Sequence, residues 1–201
     1  MIAIVDYDAG NLKSVEKALL HLGQDVVVTR NTDVILSADK VILPGVGSFG
    51  DAMHKLNKYN LTDTLKKVAL SGTPFLGICL GLQLMFESSE ESEGVEGLSI
   101  LKGKVVRFPE VEDLKIPQIG WNSIKTNPKS RLFENIASDS YVYFVHSYYL
   151  KADNPEDVAA TAEYGIQFDA AVEHENIFAC QFHPEKSGEI GLAILNKFAN
   201  L

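Results

Sequence analysis

The 201-residue sequence has little of what marks unusual protein classes. It has two cysteines, Cys79 and Cys180, which lie far apart, so neither a disulfide framework nor a cysteine-based zinc site is indicated. No apolar run is long enough to cross a bilayer, and the first residues predict a strand rather than a signal peptide. With 46% hydrophobic residues, we expect a single folded domain over residues 1–201, with free thiols, in the cytoplasm.

Positive charge is also scarce. The chain carries 18 Lys and Arg against 27 Asp and Glu, a formal net charge of -9. Nucleic acids and anionic membranes are bound by positive surfaces, so neither is an expected partner. The most acidic stretch, residues 87–94, is rich in serine and predicts a solvated loop without a chemical role.

Strand and helix patterns alternate through the first half of the chain, which predicts a parallel sheet covered by helices. In the second half, short strand patterns follow one another and predict antiparallel additions to that sheet. The fold class is therefore α/β, with a mostly parallel central sheet. The predicted strands are 2–5, 26–29, 41–43, 75–78, 104–108, 118–125, 141–150, 158–163, 170–174 and 177–181, and the predicted helices start near 12, 51, 61, 80 and 189.

The most informative segment surrounds Cys79. Residues 75–78 predict a buried strand, a helix follows from Leu80, and Gly77 and Gly81 flank the cysteine two residues away on either side. Glycines at this spacing permit the close backbone approach of a strand-to-helix corner that presents a nucleophile. A buried cysteine is usually only a small hydrophobe, but that interpretation leaves the two glycines unexplained. We therefore predict that Cys79 is a nucleophile.

A nucleophilic thiol needs a base and a group that orients the base. Pro184 favours an extended conformation at His183, and residues two apart in extended chain point to the same side. Glu185 is thus placed to orient the His183 imidazole. Taken alone, the segment is better explained by a surface loop holding a partly buried histidine, but together with the Cys79 corner it predicts a Cys-His-Glu triad.

A second glycine-rich turn, Pro44-Gly45-Val46-Gly47, follows a predicted strand and precedes a helix. Such turns can bind phosphate, but this one lacks the Lys-Ser/Thr ending of a P-loop and the spacing of a dinucleotide fingerprint. No cofactor and no metal are predicted from this or any other motif.

With these motifs in place, the chain resembles the class I, triad-type glutamine amidotransferases. More narrowly, it resembles the glutaminase subunits of imidazole glycerol phosphate synthase, from histidine biosynthesis. The segments that carry the resemblance occur in family order along nearly the whole chain. They are residues 6–12, 44–50, 77–83, 119–122, 146–149 and 181–186. One departure is Asp8, where the family pattern has glycine, and we expect it to alter a loop rather than the chemistry.

The resemblance implies a role for each motif. Cys79, His183 and Glu185 would hydrolyse L-glutamine to glutamate and ammonia, with Gln83, Ser147 and Tyr148 holding the substrate. Backbone amides would stabilise the oxyanion, and we hypothesise that the strand carrying most of them flips between inactive and active forms. The residues implied for this oxyanion hole are Gly45, Val46, Gly47 and Leu80.

The resemblance also implies a partner, a cyclase subunit with a (β/α)8 barrel that this chain is too short to contain. Ammonia would pass through a channel to that subunit, which converts PRFAR to imidazole glycerol phosphate and AICAR. The implied contacts with the partner are Asn11, Trp121, Tyr143 and Lys186, whereas His146 is interpreted as structural.

Three alternatives stay open at this point. The chain could be another triad glutaminase subunit, although Leu82 stands where several of those have histidine. It could be a free-standing cysteine hydrolase, which would need no partner. A non-enzymatic binding module is the third, and the intact Cys79, His183 and Glu185 argue against it.

Overall fold

The computed structural model describes residues 1–110, 112 and 114–201. Within these residues lie six α-helices and twelve strands, besides short 3₁₀ turns at Pro155–Asp157 and Pro184–Lys186. The helices are α1 (Leu12–His21), α2 (Thr32–Ser37), α3 (Phe49–Lys58), α4 (Thr62–Leu70), α5 (Leu80–Leu84) and α6 (Gly188–Ala199). The strands are β1 (Ile2–Val5), β2 (Val26–Thr29), β3 (Lys40–Gly45), β4 (Phe75–Cys79), β5 (Ser88–Ser89), β6 (Gly103–Arg107), β7 (Gln118–Thr126), β8 (Ser140–His146), β9 (Tyr148–Ala152), β10 (Val158–Glu163), β11 (Gln167–His174) and β12 (Ile177–Cys180).

The sheet has a parallel half and an antiparallel half. Its strand order is β2-β1-β3-β4-β12-β11-β10-β7-β8, with β5, β6 and β9 branching from it through β11. The first five strands are parallel to their neighbours, and the pairs from β12 to β8 are antiparallel. The predicted α/β class is confirmed: the central sheet of β2, β1, β3, β4 and β12 is parallel, and the second half of the chain adds antiparallel strands.

Alternation along the parallel strands divides the core into two layers. Ile2 and Ile4 face the layer that contains α1 and α6, while Ala3 and Val5 face the layer that contains α2, α3 and α4. All four side chains are almost fully buried because helices cover both faces of a parallel sheet. This arrangement places the carboxyl ends of β1, β3, β4 and β12 at one edge, where α/β proteins hold their ligands.

Local sequence explains where several helices begin and end. The side chain of Asn31 accepts hydrogen bonds from the amides of Asp33 and Val34, which caps the start of α2. Ser48 caps α3 in the same manner through the amide of Asp51, at 3.4 Å. After α1 the chain turns at Gly23, whose φ of 73° suits glycine.

Three sequence predictions about local structure were wrong or incomplete. Helix α2 was not predicted, because it is only 6 residues long. The predicted strand over 141–150 is two strands, β8 and β9, separated at Ser147. Strand β12 is not only an antiparallel addition: it is inserted beside β4 and is parallel to it. No helix in the described part of the chain is long and apolar enough to cross a membrane.

Candidate active site

Cys79 is the last residue of β4 and stands directly before α5. Its backbone has φ 55° and ψ −110°, a combination that a residue with a side chain rarely adopts. Strained backbone of this kind costs about 1–3 kcal/mol and persists where the surrounding structure enforces it. The strand-to-helix corner predicted from the sequence is therefore present, with Cys79 at its tip.

The two flanking glycines are required by close backbone contacts. A Cβ on Gly77 would lie 2.8 Å from the carbonyl oxygen of Gly81. A Cβ on Gly81 would lie 1.8 Å from the carbonyl oxygen of Leu43, inside van der Waals contact. Glycine at both positions therefore allows α5 to pack directly against β3 and β4, which fixes the direction of the Cys79 side chain.

His183 and Glu185 form a buried pair. The Nδ1 atom of His183 lies 2.7 Å from Oε1 of Glu185, and both side chains are shielded from solvent. The predicted proximity is confirmed, although Glu185 lies in the Pro184–Lys186 3₁₀ turn rather than in extended chain. Because Nδ1 is bonded to Glu185, Nε2 is the nitrogen free to exchange a proton, and it has no hydrogen-bond partner among the described residues.

The protonation of His183 follows from its neighbours. Burial by itself would lower the pKa of this imidazole, because it disfavours the charged form. Interactions with the Cys79 sulfur and with the Glu185 carboxylate outweigh burial and raise the pKa to about 9. His183 therefore carries a proton at neutral pH.

Asn11 also contacts this pair. Its side-chain amide donates a hydrogen bond to Oε1 of Glu185, the oxygen that also contacts His183. The family resemblance implied a partner contact for Asn11, whereas here its side chain contacts the triad carboxylate. Asn11 lies in the loop between β1 and α1, so this loop is directly connected to the triad.

Asp8 lies in the same loop and adopts a φ of 62°, a conformation that favours glycine. Its carboxylate accepts hydrogen bonds from the Tyr59 hydroxyl and, at 2.6 Å, from Arg30. These two hydrogen bonds lower the pKa of Asp8. The Nζ atom of Lys55 donates to the Asp8 carbonyl oxygen at 3.0 Å. Asp8, which departs from the family pattern, is thus held by the side chains of Arg30, Lys55 and Tyr59. It lies in the same loop as Asn11.

A cavity of about 420 Å³ opens over these groups. Cys79 and His183 both line it, whereas Glu185 is buried behind His183. The cavity also brings together most of the residues predicted to bind substrate or oxyanion. These are Val46, Gly47, Leu80, Gln83, Ser147 and Tyr148.

The predicted oxyanion segment lies beside Cys79 because β3 and β4 are paired. Gly45 is the register partner of Cys79, so the chain that continues from Gly45 passes over the cavity. A Cβ on Gly45 would lie 2.4 Å from the hydroxyl of Tyr7, which is itself bonded to the Pro44 carbonyl. Gly45 is therefore required for packing, and Val46 and Gly47 are the residues of this segment that reach the cavity.

Gly47 has a φ of 102°, and a Cβ built there would meet no atom within 4 Å. The requirement for glycine at this position is therefore conformational and does not come from crowding. The space beside Gly47 is therefore open, which leaves room for its peptide groups to change orientation.

The acidic segment at 87–94, predicted to be a solvated loop without a chemical role, makes structural contacts that the sequence did not predict. Oε2 of Glu91 accepts the backbone N–H of Phe49 at 2.7 Å, and Ser92 Oγ accepts the backbone N–H of Gly50 at 2.9 Å. Both bonds hold the first turn of α3, directly after Gly47. Glu91 also lines the cavity, where it places a negative charge. The amino-acid composition of residues 87–94 did not indicate these contacts with α3.

His146 lines the cavity, but both of its ring nitrogens are engaged. Nδ1 lies 2.8 Å from the Tyr148 carbonyl oxygen, and Nε2 lies 2.8 Å from the side-chain oxygen of Gln118. Burial lowers the pKa of His146 to about 4, so it is neutral at physiological pH. These contacts support the interpretation of His146 as structural.

The remaining predicted interface residues lie together next to the cavity. Trp121 and Tyr143 are register partners on β7 and β8, and their rings meet edge to face with centroids 6.1 Å apart. On this face, the exposed fractions are 55% for Trp121, 63% for Ile119 and 60% for Tyr141. Lys186, which lines the cavity, has its Nζ 6.0 Å from the centre of the Tyr143 ring. Large exposed apolar side chains in one group are typical of a protein interface.

No group of three or more His, Cys, Asp or Glu side chains suited to a metal ion occurs in residues 1–110, 112 and 114–201. The thiol of Cys180 is fully buried and lies 3.5 Å from the Phe182 carbonyl oxygen. Burial raises its pKa, which suppresses the reactive thiolate.

Comparison of the sequence with known proteins identifies its family. Residues 3–200 match the family Glutamine amidotransferase class-I. The imidazole glycerol phosphate synthase subunit HisH of Methanocaldococcus jannaschii is 49% identical over 100% of both chains. The subunit HisH of Chlorobaculum tepidum is 50% identical over 99% of both.

Solved structures show the same fold at much lower identity. A crystal structure of a glutamine amidotransferase superposes with a TM-score of 0.77 at 17% identity, covering 100% of both chains. A chain in the structure of PurLQS from Thermotoga maritima gives a TM-score of 0.73 at 19% identity, covering 99% of this chain and 97% of the other. The identity to the HisH proteins is much higher than that to these solved structures and extends over the full length. This chain therefore belongs to the class I glutamine amidotransferases and, within them, to the HisH glutaminase subunits of imidazole glycerol phosphate synthase.

Proposed function

We propose that Cys79, His183 and Glu185 carry out the glutaminase reaction of this subunit, and that ammonia then passes to a (β/α)8-barrel cyclase subunit. The observation that carries the proposal is the strained Cys79 in one cavity with His183, whose Nδ1 is bonded to the buried Glu185. The cyclase converts PRFAR to imidazole glycerol phosphate and AICAR in histidine biosynthesis. The proposed location of the reaction is the cytoplasm, where free thiols persist.

The reaction begins with attack of the Cys79 sulfur on the side-chain amide carbon of glutamine. The carbonyl oxygen becomes an oxyanion, stabilised by backbone amides at Leu80 and in the Val46–Gly47 segment. The proton held by His183 is transferred from Nε2 to the amide nitrogen, and the C–N bond breaks to release ammonia. A glutamyl thioester on Cys79 remains.

Water completes the cycle. His183, now neutral, accepts a proton from water at Nε2 as the oxygen attacks the thioester carbon. The C–S bond then breaks, glutamate leaves, and the thiolate and protonated imidazole are restored. Glu185 keeps the Nδ1–H tautomer and stabilises the charged imidazole in both halves of the cycle.

The cavity wall offers groups suited to a free amino acid. Both N–H groups of the Gln83 side chain are engaged, by the Tyr148 carbonyl at 3.2 Å and by Gln181 Oε1 at 3.0 Å. Gln83 therefore presents its oxygen to the substrate. Glu91 supplies a negative charge for the α-ammonium group, and the Ser147–Tyr148 backbone would bind the α-carboxylate.

The exposed surface formed by Ile119, Trp121, Tyr141, Tyr143 and Lys186 is the proposed docking site for the cyclase. One contact connects it with the triad, because the Tyr143 carbonyl accepts the backbone N–H of His183 at 2.9 Å. A second connects Tyr143 with Ser187, whose Oγ accepts the Tyr143 N–H at 2.9 Å. A shift of β8 on docking would therefore be transmitted to the turn that carries His183.

The proposal is tested by measuring glutamate release from glutamine by the purified chain, alone and with a histidine-pathway cyclase and its nucleotide ligand. We expect low activity alone, strong stimulation in the complex, and no activity for Cys79→Ala in either state. High activity without a partner would instead indicate a free-standing hydrolase. Absence of stimulation by the cyclase, with stimulation by another synthase subunit, would indicate a different glutaminase.

The Gly47→Ala variant tests the oxyanion segment. Alanine strongly disfavours a φ of 102°, so the peptide next to it must rotate away from its present orientation. Loss of one oxyanion donor costs about 10²- to 10³-fold in kcat. We therefore expect glutamate release in the complex to fall by about 10²-fold, measured at saturating glutamine.

Gly23→Ala is the matched control. Gly23 also has a positive φ, 73°, and also has nothing within 4 Å of a built Cβ, but it lies after α1 and away from the cavity. It should lower the unfolding midpoint and leave glutaminase turnover unchanged. Equal turnover in both variants would contradict a role for Gly47 in the oxyanion hole.

A further inference from the structure

Gln181 follows β12 and was part of the motif that predicted the triad, but the proposed reaction gives it no role. Its side chain is fully buried, and its backbone N–H donates to the Ala170 carbonyl at 2.8 Å. Its side-chain oxygen accepts a hydrogen bond from Gln83 at 3.0 Å. Its side-chain nitrogen, Nε2, lies 3.7 Å from the sulfur of Cys79.

The direction of these hydrogen bonds is fixed by a backbone carbonyl. The Tyr148 oxygen can only accept, so Gln83 must present its amide nitrogen there. The same nitrogen faces Gln181, which must therefore present its oxygen. As a consequence, the amide N–H groups of Gln181 point away from Gln83, and one of them is directed at the Cys79 sulfur.

We propose that Gln181 is a hydrogen-bond donor to the nucleophile, which stabilises the Cys79 thiolate and holds the sulfur in position for attack on glutamine. The inference rests on the proposed role of Cys79. A buried amide N–H with no strong acceptor is costly, and a thiolate is a better acceptor than a thiol. The donor is therefore satisfied best when the sulfur is charged.

Other charged and titratable groups surround the sulfur and remain in place when Gln181 is changed. They come from the β1–α1 loop, from β12, from the turn after it, from the acidic segment and from the adjoining end of β8. They are Tyr7, Cys180, His183, Glu185, Lys186, Glu91 and His146. In a Gln181 variant that adds no charge, a change of reactivity is therefore measured against a constant electrostatic background.

The first experiment measures the rate of alkylation of Cys79 by iodoacetamide as a function of pH in the complex, with the modified residue identified by mass spectrometry. Gln181→Glu keeps an oxygen for Gln83 and replaces the N–H donor, whereas Gln181→Met keeps a similar volume and removes both functions. Gln118→Met is the matched control, because Gln118 is also buried but its side chain contacts His146 rather than the sulfur.

We expect Gln181→Met to shift the alkylation profile to higher pH by about one unit, which corresponds to about a tenfold slower reaction at neutral pH. Gln181→Glu should shift the profile further, because its carboxylate also repels the thiolate. Turnover of glutamine should fall by a similar factor. KM should change by less than about twofold in Gln181→Glu, which keeps the oxygen that accepts from Gln83, whereas Gln181→Met also releases Gln83 and should raise KM. Gln118→Met should leave the alkylation profile unchanged.

A second measurement needs no change at Gln181. In the wild-type chain, the ¹⁵N-labelled side-chain amide signal of Gln181 should shift with pH as Cys79 titrates, and the shift should vanish in Cys79→Ala. Folded Gln181 variants with wild-type alkylation profiles, or an amide signal that does not follow Cys79, would overturn the proposal. Glutamate release that depends on Cys79 tests the proposed function separately, so the two failures are distinguishable.

Discussion

Cys79→Ala in the assembled complex is expected to abolish synthesis from glutamine, with a fall of about 10⁴-fold or more, and to leave synthesis from added ammonium salts intact. Removal of a covalent nucleophile removes the thioester pathway entirely, and losses of this size are typical of such residues. In the proposed complex the cyclase combines ammonia with PRFAR, so synthesis from added ammonium salts does not depend on the thiol. The measurement is formation of imidazole glycerol phosphate with each nitrogen source.

Alanine is the appropriate replacement because it preserves the strained corner. It retains a Cβ at φ 55° and ψ −110°, so the backbone conformation and the contacts of Gly77 and Gly81 are disturbed little. Glycine would relieve the strain and change stability as well as chemistry.

Cys180→Ala is the matched control for the second thiol, which is fully buried. It should retain turnover with both nitrogen sources, with only a modest loss of stability. Loss of ammonium-dependent synthesis in Cys79→Ala would show that the variant damages the complex rather than the nucleophile. Residual glutamine-dependent synthesis near the wild-type rate would contradict the role of Cys79.

The geometry of the proposed triad was predictable from sequence because each part carries a local signal. A Cβ on Gly77 or Gly81 would lie only 2.8 Å or 1.8 Å from a backbone oxygen, so both positions require glycine. These two glycines therefore appear in the sequence at a fixed spacing from Cys79. His183 and Glu185 are two residues apart, so their contact depended only on local geometry. The alternation of strands and helices likewise specified the parallel half of the sheet.

What could not be predicted depends on distant pairing. The contact between Gln83 and Gln181 joins residues 98 positions apart, and that between Asn11 and Glu185 joins residues 174 positions apart. Neither Asn11 nor Gln181 has a local pattern that distinguishes it from an ordinary polar residue. Their roles become visible only when β1, β4 and β12 are brought to the same edge of the sheet.

Glu185→Gln is expected to lower kcat by about 10²-fold and to move the alkaline limit of activity to lower pH. The carboxylate is one of the groups that raise the pKa of His183 to about 9, so its neutralisation lowers that pKa. His183 then loses, at a lower pH, the proton that it must give to the departing ammonia. The measurement is kcat/KM for glutamine between pH 6 and 10 in the complex.

Stability should change in the same pH window. A histidine whose pKa is raised on folding stabilises the protein fully below its unfolded pKa of about 6.5, and this contribution is lost as pH rises through the folded pKa of about 9. The contribution of this group to the wild-type unfolding free energy should therefore decline between these values. In Glu185→Gln the decline should be smaller and should end at lower pH.

Glu173→Gln is the matched control, because Glu173 is a hydrogen-bonded carboxylate held by Ser130 and Arg131 away from the cavity. It should lower stability and leave the pH profile of activity unchanged. An unchanged alkaline limit in Glu185→Gln would show that the carboxylate does not act on His183 in the catalytic cycle.

The side chain of Asn11 determines how far the Glu185→Gln substitution lowers activity. Its amide donates to the same carboxylate oxygen that contacts His183, so a glutamine at position 185 is held with its oxygen in that place. The Nδ1–H tautomer of His183 is then retained, and Nε2 still exchanges the proton.

Adding Asn11→Ala releases the new amide, which can turn its N–H groups towards Nδ1 and enforce the opposite tautomer. A wrong tautomer costs about 10⁴-fold in the serine protease triad, so the double variant should lose more activity than the product of the two single losses. Losses that simply multiply would show that Asn11 does not orient the group at position 185.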